Sequence, residues 1–153
     1  IPAGGDLPDT KLNPKFEHKI SFLSEIKDKF FKGEQKKTII VGDFNIAPLP
    51  DDVWSHKALL NVVSHTKMET DLLLEIKKSG NWIDTFREIK PTGKLYSWWS
   101  YRARDWKVSN RGRRLDHIWA SQDLKSKLRK AHIFLEARGW ERPSDHVPIL
   151  AVF

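Results

Sequence analysis

Cysteine is absent from the 153 residues, and no long apolar run is present. The first absence excludes a disulfide scaffold and thiolate metal sites. The second excludes a membrane-spanning helix, which needs about 20 consecutive apolar residues. Hydrophobic residues make up 39% of the chain and charged residues 31%, a balance typical of folded proteins rather than disordered ones. One soluble globular domain with a real core is therefore expected.

The chain also begins without a methionine. Its first residues, "IPAGGDLPDTKLNP", have the glycine and proline content of an internal loop. They lack the basic and then apolar pattern of a signal peptide. This start predicts that residues 1–153 belong to a longer protein, with an ordinary processed N-terminus as the alternative.

Positive charge is concentrated in one segment, which we call the basic segment, residues 87–114. It holds nine Arg or Lys against Glu88 and Asp105, while the remaining residues are balanced. Interleaved cations and aromatic rings suit a nucleic acid, whose bases or sugars can stack. The alternative is that the aromatic residues form core and the charges its wet surface. The aromatic residues are Tyr96, Trp98, Trp99, Tyr101 and Trp106.

Hydrophobic periodicity and turn residues predict alternating helices and strands. This alternation implies a layered α/β fold. The predicted elements are a helix from Asn13-Pro14 to Gly33, a central strand over 38–41 covered on both faces, a helix over 69–78, a strand over 96–101, a basic loop over 102–112, a strand over 114–121, and last strands at "AHIFLEA" and "VPILAVF".

Three acidic motifs occur where strands begin or end. Asp43 and Asn45 follow a strand, Asp116 lies on one, and Asp145-His146 precede the last strand. Carboxylates cluster against their own repulsion when a divalent cation offsets it, and a histidine beside them can move a proton. Together the motifs support hydrolysis of a phosphodiester. Taken singly, each is also explained as a turn, a helix cap or a surface residue.

The other histidines show no metal-ligand spacing. We expect them to be structural or exposed. They are His18, His56, His65, His117 and His132.

Four motifs in order carry a family resemblance: "GDFNIAP", "YSWWSYR", "NRGRRLDHIWAS" and "RPSDHVPILAVF". They resemble the C-terminal half of the exonuclease III family of abasic-site endonucleases, within the endonuclease/exonuclease/phosphatase superfamily. "GDFN" and "SDH" occur throughout the superfamily, whereas the middle two motifs are typical of the DNA-repair branch.

The resemblance implies half of a four-layered α/β sandwich of the deoxyribonuclease I type, with a mostly antiparallel or mixed sheet covered by helices. Residues 1–153 would be a single incomplete domain. An apolar sheet face would then lack its cover. Self-association, or pairing with a missing N-terminal half, is the expected consequence.

The resemblance also implies catalytic roles. Asp43 would activate the attacking water and Asn45 would position it at the phosphate. His146 would contact the phosphate and move protons, with Asp116 as its orienting partner. Asp145 and Asp43 would hold Mg²⁺ (or Mn²⁺), the ions that oxygen ligands favour.

The DNA contacts implied by the resemblance lie in the basic segment. Trp98 would form the pocket for a flipped abasic sugar. Some relatives carry an apolar or aromatic residue at Arg113, which leaves a pocket wall and a phosphate contact as alternatives for this arginine. The full set of predicted DNA-binding residues is Trp98, Trp99, Tyr101, Arg102, Arg104, Arg111, Arg113 and Arg114.

The implied function is a DNA-repair phosphodiesterase acting on double-stranded DNA with abasic or 3′-blocked sites, in a bacterial cytoplasm and without a membrane. The isolated segment is expected to be inactive or weak. Three alternatives stay open at this point: a noncatalytic DNA-binding fragment, one subunit of a split enzyme, and a phosphodiesterase for lipid or inositol phosphates. The basic segment argues against the last.

Overall fold

A computed structural model describes residues 1–29, 33, 35–103 and 105–153. It shows an α/β fold with antiparallel sheets, as predicted. Three short 3₁₀ turns join the elements, at Pro50–Asp52, Gln122–Lys127 and Leu135–Gly139. The elements are α1 (Pro14–Lys29), β1 (Ile39–Asp43), α2 (His56–Leu59), α3 (Lys67–Ser79), β2 (Ile83–Asp84), α4 (Thr85–Ile89), α5 (Trp106–Ser109), β3 (Asp116–Ala120), β4 (Lys130–Ile133) and β5 (Ile149–Val152).

The strands form a three-stranded sheet in the order β1-β3-β2 and a two-stranded sheet of β4 and β5. In the larger sheet, Ile39 pairs with Ala120 and Asp43 pairs with Asp116. This antiparallel register brings the end of β1 to the start of β3. Asp43 and Asp116, far apart in the sequence, therefore lie opposite each other at one end of these two strands.

The prediction that the first strand is central and covered on both faces is wrong. β1 is the outer strand of its sheet, and the side chains of Ile39 and Val41 are 45% and 65% exposed. Ile40, between them, packs against the core cluster that contains Phe44 and Trp119. Successive residues of a strand point to opposite faces, so one face of β1 is covered and the other is not.

The two long helices pack against each other and begin at clear signals. α1 begins at Pro14, a residue favoured in the first turn because it has no N–H to leave unpaired. α3 begins two residues before the predicted start. Its cap is Thr66, whose hydroxyl accepts from the Glu69 N–H in a capping box. The predicted extension of α1 over 30–32 lies outside the described residues. Within the described ranges, no helix is long and apolar enough to cross a membrane.

The predicted strand over 96–101 does not form as a regular strand. Trp98 makes single β-bridges to Arg113 on one side and His146 on the other. The chain then turns, because the Ala103 N–H donates to the Ser100 carbonyl at 3.1 Å. The backbone hydrogen bonds of this segment to its two neighbours therefore involve residues 97–99 and end at the turn. The predicted loop over 102–112 also contains the one-turn helix α5, and "AHIFLEA" leaves the sheet after Ile133 to form a 3₁₀ turn.

Candidate active site

The end of β1 and the start of β3 place two carboxylates side by side. Asp43 and Asp116 are cross-strand partners and both are half-buried. Burial raises the pKa of Asp43 above its ordinary value, and the nearby charge of Asp116 adds to the increase. Like charges directly opposite on a sheet are destabilising. This pair therefore favours a positive neighbour.

Asn45 forms a tight turn around the Asp43 carboxylate. Its backbone N–H donates to Asp43 Oδ1 at 2.8 Å and its side-chain Nδ2 donates to Oδ2 at 2.9 Å. Its φ of +53° lies in the left-handed region, which Asn tolerates better than most residues. The local turn that these residue types favour is present, and it holds both side chains in fixed positions.

His146 lies within hydrogen-bond distance of Asp116. His146 Nδ1 lies 2.8 Å from Asp116 Oδ2, and Nε2 lies 3.9 Å from Asp43 Oδ2. The hydrogen bond to Asp116 raises the pKa of His146, although burial opposes the increase. The carboxylate accepts at Nδ1, which leaves Nε2 as the ring nitrogen able to exchange a proton beside Asp43.

Ser97 is a site residue that the sequence analysis missed. Its buried hydroxyl donates to Asp116 Oδ2 at 2.6 Å and accepts from the N–H groups of Leu115 and Asp116, each at 3.0 Å. The same Asp116 oxygen therefore receives hydrogen bonds from Ser97 and from His146. A serine inside an aromatic motif carries no sequence signal for this role.

Residues 97–99 connect the histidine loop to the rest of the site. The Val147 N–H donates to the Ser97 carbonyl at 2.8 Å, and the Trp99 N–H donates to the Asp145 carbonyl at 2.9 Å. Trp98 adds a side-chain contact, because its indole Nε1 donates to Asp145 Oδ2 at 2.9 Å. These bonds fix the loop that carries His146.

The residues at this end of β1 and β3, with His146, suit a divalent cation. In the part of the chain that the structure describes, Asp43, Asp116 and His146 can each offer one ligand atom, with all three atoms within 4.8 Å of one another. Carboxylate oxygens suit Mg²⁺ or Mn²⁺, and a cation would relieve the repulsion between the two carboxylates. Asp145 is not part of this set, so its metal role stays a prediction.

A cavity of about 660 Å³ lies beside these residues. Asn45 and Trp98, which contact Asp43 and Asp145, are part of its lining. The guanidinium of Arg113 lies over the Trp98 ring, 5.2 Å from its centroid. That of Arg111 lies over the Trp54 ring at 4.8 Å. Arg102 also lines the cavity, together with the apolar residues Leu59, Val62, Val63 and Leu115.

Several predicted DNA contacts are accessible. Tyr101 is 63% exposed, with its hydroxyl donating to the Pro143 carbonyl at 3.0 Å. Arg102 and Arg111 are exposed at the cavity, and Trp98 and Arg113 are half-buried in its wall. The prediction for Arg104 lies outside the described residues.

Two predicted DNA contacts are wrong, because Trp99 and Arg114 are interior residues. Trp99 is 2% exposed and packs edge-on against Tyr96 and Trp106. Arg114 is fully buried, so neither side chain reaches the surface.

Arg114 instead joins two buried carboxylates. Its Nε and Nη2 donate to Asp52 at 2.7 and 3.0 Å, and its Nη1 and Nη2 donate to Asp84 at 3.0 and 2.7 Å. Burial alone would raise the pKa of each carboxyl. The charge and hydrogen bonds of Arg114, helped by Arg87 at Asp52 and by His117 and Lys77 at Asp84, together outweigh burial and hold both pKa values below the ordinary range.

A buried lysine supports the turn at Asn45, and the sequence analysis missed it. Lys19 pairs with Glu69 of α3, and its Nζ also donates to the Asn45 carbonyl at 2.8 Å. Burial lowers the pKa of Lys19, with the charge of Glu69 opposing the decrease. The signal was available, because Lys19 stands between Phe16 and Leu23 on the apolar face of α1.

The remaining histidines include two interior ones, in agreement with a structural role. The Nε2–H of His117 donates to the Ile46 carbonyl at 2.8 Å, and burial lowers the pKa of His117 to about 4. His65 is buried too. Its Nε2 lies 2.8 Å from Nδ1 of the exposed His56, and its Nδ1 lies 2.6 Å from the Ala47 carbonyl oxygen.

With this geometry established, the sequence identifies the family. Residues 24–146 match the profile of the Endonuclease/Exonuclease/phosphatase family, so the chain belongs to that family. Within it, the chain is 30% identical to Exodeoxyribonuclease III of Haemophilus influenzae, over 91% of this chain and 55% of that protein. This agrees with the exonuclease III branch that the four motifs indicate.

Solved structures show the same fold. An AP endonuclease from Archaeoglobus fulgidus aligns with a TM-score of 0.90 and 28% identity, covering 100% of this chain and 58% of that one. A 3′ phosphatase from Neisseria bound to a product DNA hairpin aligns with a TM-score of 0.82 and 28% identity, covering 99% of this chain and 58% of that one. The chain thus spans little more than half the length of these relatives.

Proposed function

We propose that this chain carries the phosphate-hydrolysing site of a DNA-repair nuclease that depends on a divalent metal. One observation supports this most directly: Asp43 and Asn45 converge with the Asp116–His146 pair, and Asn45 also lines a cavity whose other lining residues include arginines and tryptophans. The carboxylates, Asn45 and His146 suit hydrolysis of a phosphate ester, and the arginines and tryptophans of the cavity suit binding to DNA.

Each side chain has a defined part in the proposed chemistry. Asp43 accepts a proton from the attacking water, and the Asn45 amide positions the phosphate. His146 exchanges a proton through Nε2, while Asp116 fixes its ring and stabilises the imidazolium form. Asp43 and Asp116 would hold Mg²⁺ or Mn²⁺, which would neutralise charge on the phosphate oxygens. In this proposal Asp145 secures Trp98 beside the loop of His146, and it would be a further ligand for the metal.

The proposed substrate is double-stranded DNA with abasic or 3′-blocked sites. The relatives support it, since they include an exodeoxyribonuclease III, an AP endonuclease and a 3′ phosphatase. Because the chain spans about half their length, we further propose that it is one incomplete domain with weak activity by itself. A bacterial cytoplasmic location remains part of the same proposal.

The test is incision of a duplex that carries one abasic analogue, under single-turnover conditions with excess protein. We expect slow cutting in Mg²⁺ that a chelator abolishes and that His146→Ala removes. The matched control is His18→Ala, which changes an exposed histidine on α1. Cutting that persists in the chelator, or at an equal rate in His146→Ala, would contradict the proposal.

A noncatalytic DNA-binding role is the second candidate, favoured by the exposed Tyr101, Arg102 and Arg111. Such a module would bind DNA in a salt-dependent way. Binding that is retained in Asp43→Ala, with no Mg²⁺-dependent cutting by the unmodified chain, would support this role instead.

A further inference from the structure

Two neighbouring arginines in the basic segment have opposite environments. Arg114 is fully buried and bonded to both Asp52 and Asp84. Arg113 is half-buried in the cavity wall. Its Nη1 donates to the Val63 carbonyl at 3.1 Å and to Ser64 Oγ at 2.8 Å, which are both neutral acceptors.

Arg113 therefore lacks a direct counter-ion among the residues that the structure describes. Its Nε is buried without a hydrogen-bond partner. The carboxylate whose charge acts on Arg113 is Glu69, and this group is already engaged by Lys19 and Thr66. A guanidinium removed from water without an opposite charge is costly. A ligand that brings negative charge would offset this cost.

The cavity can deliver such a ligand to Arg113. Arg113 lines the same cavity as Asn45 of the catalytic cluster, and the Trp98 ring lies against the guanidinium. Arg102 and Arg111 add positive charge to the lining, and Asp6 is the one acidic residue among the lining residues that the structure describes. Asp6 makes no ion pair with Arg113 in the described structure. A neutral sugar would leave the Arg113 charge unmatched, whereas a phosphate would match it with a charge-assisted hydrogen bond.

We propose that Arg113 makes this cavity selective for DNA 3′ ends that carry a terminal phosphate, over sites that present a neutral abasic sugar. This inference rests on the proposed function, because that function places a DNA phosphate at the Asn45 cluster. In the reaction, the oxygen of water bonds to phosphorus and the bond from phosphorus to the 3′ oxygen breaks. The proton passes to that oxygen, which gives a 3′-hydroxyl and inorganic phosphate.

The test measures binding by fluorescence anisotropy in a chelator, so that hydrolysis does not interfere. Three duplexes of one sequence are compared. The first has a recessed 3′-phosphate, and the second carries the phosphate on the 5′ end of the same strand, with equal net charge. The third has a neutral abasic analogue at the recessed position.

For the unmodified chain we expect binding to the 3′-phosphate duplex about 10-fold tighter than to the other two, the size of one hydrogen bond between charged groups. Arg113→Gln should bring the ratio close to one, and Arg113→Lys should retain a preference because it keeps the charge. The matched control is Lys107→Gln, an exposed cation of the basic segment outside the cavity lining. It should weaken binding to all three duplexes and leave the ratio unchanged.

A ratio near one in the unmodified chain, a ratio unchanged by Arg113→Gln, or no binding to any duplex would overturn the proposal. Partial unfolding of a variant lowers all three affinities together, so the ratio remains informative. The proposed function fails separately. If the chain binds the 3′-phosphate duplex selectively but shows no His146-dependent hydrolysis, the proposed function is refuted and the role of Arg113 stands. If it hydrolyses DNA but binds the three duplexes equally, the role of Arg113 is refuted and the proposed function stands.

Discussion

His146 Nδ1 and the Ser97 hydroxyl bond to the same oxygen of Asp116, at 2.8 and 2.6 Å. Ser97 also accepts from two backbone N–H groups. Its hydroxyl thus connects the fold of the β3 start to the orientation of the histidine. Removing it should affect both stability and the site.

Ser97→Ala leaves those N–H groups buried without an acceptor, which costs about 1–3 kcal/mol of unfolding free energy. We also expect slower incision, since Asp116 loses one of the two bonds that hold it. Urea unfolding and single-turnover incision measure the two effects. The control is Ser109→Ala, an exposed serine on α5, where the change should stay within about 0.5 kcal/mol.

Removing one partner of the buried Lys19–Glu69 pair should be costly for stability. Lys19→Met leaves the Glu69 charge buried and unpaired, so we expect a loss of about 3–5 kcal/mol in the unfolding free energy. The control is Lys15→Met, which alters an exposed lysine on the same helix. Lys19→Met combined with Glu69→Gln should recover part of the loss. If Lys19→Met and Lys15→Met are equally stable, the predicted role of the Lys19–Glu69 pair is refuted.

The Arg114 cluster predicts a loss of stability in acid. The pKa values of Asp52 and Asp84 lie below the ordinary value of 3.8 in the folded chain. On lowering the pH, the unfolded chain therefore takes up protons first. The stabilisation is present above pH 3.8 and is lost as the pH falls through the lower folded values. Urea unfolding between pH 6 and pH 2.5 should show this loss, and Asp84→Asn should reduce it. Stability that is independent of pH below 4 would contradict the role of this cluster.

The uncovered face of β1 should promote association between copies of the chain. Val41→Lys adds a charge to a side chain that is 65% exposed, so we expect less self-association without a loss of stability. Sedimentation velocity over a range of concentrations measures it. Val108→Lys, on an exposed residue of α5, is the control. Equal sedimentation of Val41→Lys and the unmodified chain would exclude this face as the contact.

Several residues of the candidate site could be proposed from the sequence because their motifs, taken together, suggest one site, although each motif alone is weak. Asp43 and Asn45 follow an apolar run, and Asp116 lies on an alternating strand. Their meeting depended on the register of β1 and β3, which a sequence suggests but does not determine. The position of β1 was mispredicted because a short run of β-branched residues, Thr38 to Val41, has the same sequence pattern whether or not a second layer covers it.

Buried contacts were harder to predict than local elements. Trp98 and Trp99, like Arg113 and Arg114, have neighbouring positions and similar chemistry, yet one of each pair is interior. In extended backbone a shift of one residue changes the face, and composition does not record that shift. Lys19 and Glu69 are 50 residues apart, so their pairing becomes visible only once α1 and α3 are packed.

The measurement that tests the central claim most directly is the single-turnover incision rate of Asp116→Asn at an abasic analogue in Mg²⁺. This substitution keeps the size of the side chain but removes the charge that orients His146. If the cluster is the catalytic site, the rate should fall by about 10²-fold or more, while Asp123→Asn, which lies outside the site, should cut normally. An unchanged rate in Asp116→Asn would contradict the account.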